Sequence, residues 1–240
     1  MNGGRVLRSP FSMGGLVRRL WTTKNLGKSK PSITFGRPIA RAPAWENEVK
    51  VVDGFIRMIE AGYKLYPPDL FSQKWHSNTV CSARNAIFRE ALERKSDYVF
   101  FFDDDMTVID LPQVIEQMLK LDKDIVGAIG YTKGEPHWPN IAKVSEIGES
   151  RTVCDSRTTR IYEWPKDKPF EVDIVGTAVM LVKRKVYEKM EPPWFYMPPN
   201  YLNDNVKGED TTFCFNAKMH GFEIWVDPTI KVGHIGDFPY

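Results

Sequence analysis

The most constraining stretch of this chain is Tyr98-Val99-Phe100-Phe101-Phe102, followed at once by Asp103-Asp104-Asp105. Five consecutive apolar residues read as a strand buried on both faces, the kind found inside a mostly parallel sheet covered by helices. In open α/β folds ligands gather at the carboxyl ends of the strands, so an acidic turn at that place is a candidate site. Three adjacent carboxylates repel one another and need water or a cation to offset them. Hard divalent ions such as Mg²⁺ or Mn²⁺ take oxygen ligands of this kind and keep positions open for substrate phosphates. An exposed acidic turn is the plainer alternative, but it gives no reason for a long hydrophobic run to end there.

The elements around this strand alternate. Ser32–Gly36 reads as a short strand ending in Gly-Arg-Pro. After Pro43, the apolar residues Trp45, Val49, Val52, Ile56 and Ile59 form a helical stripe that Gly62 ends. Past the prolines 67 and 68, Ser82 is positioned to cap a second helix with Ala83, Ile87 and Ala91 on one face, running to Lys95. Then come a helix over Leu111–Leu121, a strand over Asp124–Ile129, a long irregular stretch from Tyr131 to Phe170, and a strand over Val172–Val182. A helix from Glu209 to His220, stopped by Gly221, and a strand over Glu223–Val226 complete the pattern. Alternation of this kind predicts one α/β domain with a mostly parallel sheet.

Composition excludes several classes. No run approaches the ~20 apolar residues needed to span a bilayer. The three cysteines, Cys81, Cys154 and Cys214, are an odd number without a CxxC pair, which supports neither a disulfide framework nor a zinc site. A reducing, cytoplasmic location fits best. The net charge of +2 conceals an asymmetry: residues 1–45 carry nine Lys or Arg and no acid, leaving 24 basic against 31 acidic residues in the rest. Residues 1–31 therefore read as a basic, disordered arm that could contact an anionic partner, and 32–240 as the folded domain.

Four segments then carry a resemblance. Asn78–Asn85, containing Ala83-Arg84-Asn85, a helix, and Asp97–Met106 look like the "ARN, helix, strand, DxD" block of GT-A fold glycosyltransferases, particularly the family 2-like ones. Val175–Arg184 resembles the strand backing the sugar and acceptor site, and Gly208–Cys214 resembles the Glu-Asp motif that opens the acceptor-side helix. Gly221–Pro228 through Gly233-His234-Ile235-Gly236 resembles the closing strand with its trailing histidine. The likeness covers residues 32 to 236.

The resemblance implies a single GT-A type, Rossmann-like domain, with a nucleotide-binding half up to Asp105 and an acceptor-binding half after it. It also implies a nucleotide-diphospho-sugar donor, a Mn²⁺ or Mg²⁺ cofactor, and a hydroxyl acceptor on a glycan, protein, lipid or modified nucleic acid. Asp105 is the first choice as metal ligand, with His234 as a further one. Asp103 meets the ribose directly or through metal, Asp104 stands between the two roles, and Arg84 with Asn85 reaches the nucleotide. Asp210 is the candidate general base of an inverting reaction, with Glu209 as its substitute. Trp138, Trp194, Phe195 and Tyr196 are candidates for an aromatic acceptor wall. His76, His137 and His220 receive no role. Three other readings remain: a haloacid-dehalogenase-like phosphatase using Asp103-Asp104-Asp105-Met106-Thr107, a nucleotidyltransferase on a related fold, and a non-catalytic binding module.

Overall fold

A computed structural model describes residues 30–38, 45–66, 79–133, 135–198 and 207–235, the side chains of Trp45 and Glu46 excepted. The basic arm up to residue 29, together with Pro43, His76, Asn78 and Gly236, lies outside the described residues. Among the described residues no helix is long and apolar enough to cross a membrane.

The first half of the chain supplies β1 (Ser32–Gly36), α1 (Trp45–Glu60), β2 (Lys64–Tyr66), α2 (Val80–Arg94), β3 (Tyr98–Phe102), β4 (Met106–Val108), α3 (Leu111–Leu121) and β5 (Ile125–Gly127). The second half adds β6 (Ile141–Ile147), β7 (Ser156–Arg160), β8 (Phe170–Val172), β9 (Ile174–Val175), β10 (Val179–Lys183), α4 (Arg184–Lys189), α5 (Glu209–Met219), β11 (Ile224–Val226) and β12 (Val232–His234). Seven strands form the central sheet in the order β2-β1-β3-β10-β5-β11-β8. Strands β10 and β8 run against the other five, so the sheet is mostly parallel, as expected.

Both faces of the sheet are covered, and β3 shows why its sequence is apolar throughout. Phe100 and Phe102 join Phe35, Phe55 of α1 and Ile115 of α3 on one side; Val99 and Phe101 join Phe88 of α2, Met180 and Phe213 of α5 on the other. Full burial of each such side chain contributes about 1.5–3 kcal/mol, so this strand anchors two cores at once. The chain has a GT-A type α/β fold.

Four local expectations need correction. The buried face of α1 is Val51, Phe55 and Met58, whereas Val49 is exposed and Val52, Ile56 and Ile59 are only partly buried. Two apolar stripes compete on this helix, and Gly54 decides between them: a Cβ there would stand 3.0 Å from Cβ of Leu111, so this side alone lets α3 approach. The cap of α2 is Thr79, whose Oγ1 accepts from the Ser82 amide at 3.2 Å, placing Ser82 inside the first turn. The stretch 131–170 is not irregular throughout, because β6 and β7 form an antiparallel hairpin within it. Most of β6 faces solvent, so no apolar alternation marks it. Finally, the expected strand 172–182 is broken between β9 and β10. Gly176 packs so tightly on Asn140 that a Cβ would lie 2.6 Å from Asn140 Nδ2, and its amide donates to the Asn140 carbonyl at 3.0 Å.

Candidate active site

The site is built where β3 ends. Its neighbour β10 begins one step later, and the Ala178 carbonyl accepts the Asp103 amide at 2.9 Å, so the acidic turn is fixed to the break after β9. Behind it, α2 carries Arg84 almost fully buried. Arg84 Nη2 donates to Asp103 Oδ2 at 2.9 Å, while Nη1 donates to Glu209 Oε1 at 2.7 Å and Asp210 Oδ1 at 2.8 Å. One guanidinium thus holds three carboxylates from two distant parts of the chain. Burial alone would lower the Arg84 pKa, but Asp103, Asp210 and Glu209 together more than offset it and raise it.

Three carboxylates on one cation leave excess negative charge. Burial pushes the Asp103 carboxyl up to about 6, a rise that Arg84 limits and the nearby Asp210 adds to. Its Oδ2 is held by Arg84, whereas Oδ1 is buried without a hydrogen-bond partner among the described residues. A buried carboxylate oxygen without a donor is costly and invites a cation or a ligand hydroxyl. Glu209 and Asp210 open α5, whose cap residue Gly208 contributes no side-chain bond, so they also answer the positive end of that helix. Asp210 remains 34% exposed on its side chain and takes a short hydrogen bond from Thr177, a fully buried residue delivered by the break after β9.

On the other side of the turn, β4 pairs with β12, setting His234 opposite Met106, and the Ile235 amide donates to the Asp105 carbonyl at 2.6 Å. The Asp105 carboxylate pairs with Lys133. His234 is partly buried, and its pKa is lowered chiefly by burial, with Asp105 opposing and Lys133 reinforcing the shift. Asp105 and His234 therefore belong to one edge, beside Asp103.

Asp104 turns inward and is 6% exposed. Its carbonyl lies 3.4 Å from Nη2 of Arg37, a fully buried residue that also pairs with Glu48, and Asn47 Nδ2 donates to the Met106 carbonyl at 2.9 Å. The acidic turn is thus clamped from β1 and α1. Asn85, expected beside the nucleotide, has its side chain engaged by the backbone of the segment after α4. Its Oδ1 accepts from the amides of Trp194 and Phe195 at 2.9 and 3.1 Å, and its Nδ2 donates to the Phe195 carbonyl at 2.7 Å. Trp194 and Phe195 are accordingly core residues, and of the expected aromatic wall only Trp138 is exposed. Arg84 likewise meets carboxylates in this structure.

Sequence reasoning missed Thr177, Lys133, Arg37 and Asn47. Only Arg37, inside the Gly-Arg-Pro ending of β1, carried any signal, since a charged residue at a buried strand end needs a partner.

Asp105, whose backbone carbonyl accepts from Ile235, and His234 on the paired strand β12 bring a carboxylate and an imidazole to this edge, and Asp103 Oδ1 adds a buried oxygen without a partner; these are donor types that divalent ions take. Among the described residues no three His, Cys, Asp or Glu side chains are grouped so as to hold a metal ion by themselves. Ions that work on nucleotides use one or two protein carboxylates and take the remaining ligands from phosphates and water, so an open set is the fitting kind.

No family model and no curated protein matches this chain. Among solved structures, it is similar to A197 from STIV, with a TM-score of 0.52 and 19% identity over 87% of each chain. CMP:2-keto-3-deoxy-manno-octonic acid synthetase complexed with CTP aligns with a TM-score of 0.44 at 12% identity, over 88% of this chain and 93% of the other. S. aureus TarS 1-349 in complex with UDP-GlcNAc aligns at 0.41 and 12%, over 83% of this chain and 56% of the other. At such identities the likeness to A197 speaks for the fold alone.

Proposed function

We propose that this chain is a glycosyltransferase that moves a sugar from a nucleotide-diphospho-sugar to a hydroxyl acceptor, with inversion, using Mn²⁺ or Mg²⁺. The observation that carries this reading is the Arg84 cluster, which joins Asp103 at the end of β3 to Glu209 and Asp210 at the start of α5. Residues far apart in sequence, belonging to separate motifs of one family resemblance, thereby meet in one place.

Asp105 and His234 would hold the ion, with Asp103 Oδ1 turned either to it or to the ribose. Bound there, the ion neutralises the charge that develops on the departing diphosphate. Asp210 accepts the proton of the acceptor hydroxyl as that oxygen bonds to the anomeric carbon and the carbon–phosphate oxygen bond breaks. Arg84 and Thr177 orient Asp210 for this, and Arg84 fixes Asp103 across the same cleft; both are positioning residues. Glu209 balances the Arg84 charge.

A phosphatase reading would make Asp103 the nucleophile. Its two oxygens are respectively bound by Arg84 and buried, which favours a binding role over in-line attack. Incubation with a panel of UDP-, GDP- and TDP-sugars plus Mn²⁺ tests the proposal. Release of nucleoside diphosphate from at least one donor is expected. Release of inorganic phosphate from phosphomonoesters, with no donor turned over, would overturn it.

A further inference from the structure

Sugar rings and charges are both recognised by features found together on one face beside the site. The exposed aromatic residues among the described residues are Tyr131, Trp138 and Tyr162, at 45%, 40% and 55% exposure, and all three lie here. Trp138 meets Tyr162 edge to face at 5.3 Å between ring centroids, with the Arg160 guanidinium 6.0 Å from the Trp138 ring. Within the first loop the Thr132 amide donates to the Trp138 carbonyl at 2.8 Å and Tyr131 bridges to Pro139; the second segment is tied to it by the Ile161 amide donating to the Ile141 carbonyl at 3.1 Å and by Arg160 Nη1 reaching the Pro139 carbonyl at 3.5 Å. The surface is therefore a supported feature of the fold.

The same face deepens into a cavity of about 150 Å³ bordered by Tyr131, Trp164, Lys166, Ile230, Lys231 and Val232. Lys166 Nζ stands 3.8 Å from the Trp164 ring centroid, and no carboxylate borders the cavity among the described residues. Val232 is two residues from His234 on β12, and Tyr131 is two residues from Lys133, the partner of Asp105. The cavity thus opens beside the proposed ion site.

We propose that this face binds the acceptor, and that the acceptor is an acidic oligosaccharide. Its rings stack on Trp138, Tyr162, Tyr131 and Trp164, and a carboxylate or phosphate substituent sits between Lys166 and Lys231. A single-stranded nucleic acid would also stack on aromatics, but it carries one charge per nucleotide and needs a groove of one sign. Here Glu135, Glu163 and Asp167 are exposed on the same loops as Lys133 and Lys166, which suits a sparsely charged chain. That the saccharide is an acceptor rests on the transferase reading; that it binds here does not.

The test is retardation of the full-length protein in native gels cast with hyaluronan, whose carboxylates alternate with uncharged sugars, with a sparsely phosphorylated mannan, or with neutral hydroxyethylcellulose. Retardation by hyaluronan or by the phosphomannan is expected, and which of them is stronger identifies the anionic group. Trp138→Ala/Trp164→Ala should weaken it at least ten-fold. Lys166→Gln/Lys231→Gln should remove the preference for acidic over neutral polymer. Tyr131→Ala/Tyr162→Ala, at exposed positions, supplies a second aromatic pair should the tryptophan variant not fold. Retardation of the wild type by neither acidic polymer, equal retardation of all variants, or tighter binding of oligo(dT) than of both polysaccharides would overturn the proposal. Retardation needs neither donor nor metal, so it is read separately from donor hydrolysis.

Discussion

Arg84 Nη2 lies 2.9 Å from Asp103 Oδ2, although the two residues come from a helix and a strand end and both sit largely out of water. This pair is the hinge of the site, because the other nitrogen of the same guanidinium reaches Glu209 and Asp210 on α5. Removing the cation leaves carboxylates facing one another without compensation.

Arg84→Met should therefore destabilise the domain by about 3–5 kcal/mol, the range for breaking a buried ion pair from one side. Urea denaturation measures this. Adding Asp103→Asn to that variant should recover part of the loss, since one of the stranded charges is then gone. A single variant as stable as wild type would show that the cluster does not hold α2, β3 and α5 together.

The Asp103 carboxyl, raised to about 6 from an ordinary value of 3.8, gives a pH signature. Between those values the native state binds the Asp103 proton more strongly than the unfolded chain does. Its contribution to stability is therefore full at the acid end, falls as pH rises through that window, and is constant above it. The stability difference between wild type and Asp103→Asn, followed in urea from pH 4 to 7 with chelator present, should move in favour of the Asn variant as pH rises. A difference independent of pH would remove the shift.

These features explain what the sequence disclosed. The strand Tyr98–Phe102 was legible because both its faces are buried, and the end of helix α5 because Gly221 follows it with a positive φ. The approach of the acidic turn to Glu209 and Asp210 was suggested only by the order of motifs. Thr177 and Lys133 were invisible because nothing local distinguishes them; their positions follow from the break after β9 and from a loop that crosses the turn. The offset of the α1 stripe has the same origin. Periodicity names a helix, and the partner's shape, here at Gly54, chooses the buried face.

Asp210→Asn preserves shape and removes the base, so turnover should fall by about 10²-fold or more with donor KM little changed. Thr177→Val removes one hydrogen bond to Asp210, worth about 1 kcal/mol, and should cost about five-fold in kcat. Full turnover by Asp210→Asn would place the base elsewhere or indicate a retaining reaction.

Gly176→Ala tests whether the strand break sets the site. The added methyl would meet Asn140, which is itself held by its Oδ1 accepting from the Gly130 amide at 2.9 Å. Overpacking of this kind costs about 1–3 kcal/mol. Thermal denaturation should show that loss, and kcat should fall more than donor affinity because Thr177 is displaced. An unchanged kcat at reduced stability would separate the break from catalysis.

The central claim is that Asp105 and His234 present an ion to the diphosphate of a nucleotide sugar. Isothermal titration of wild-type protein with the best donor of the panel, in Mn²⁺ and in chelator, measures this most directly, with Asp105→Ala and His234→Ala alongside. The account predicts donor binding that Mn²⁺ strengthens at least ten-fold in wild type, a gain absent in Asp105→Ala and reduced in His234→Ala. Donor affinity equal in Mn²⁺ and chelator, or a full Mn²⁺ gain in Asp105→Ala, would contradict it.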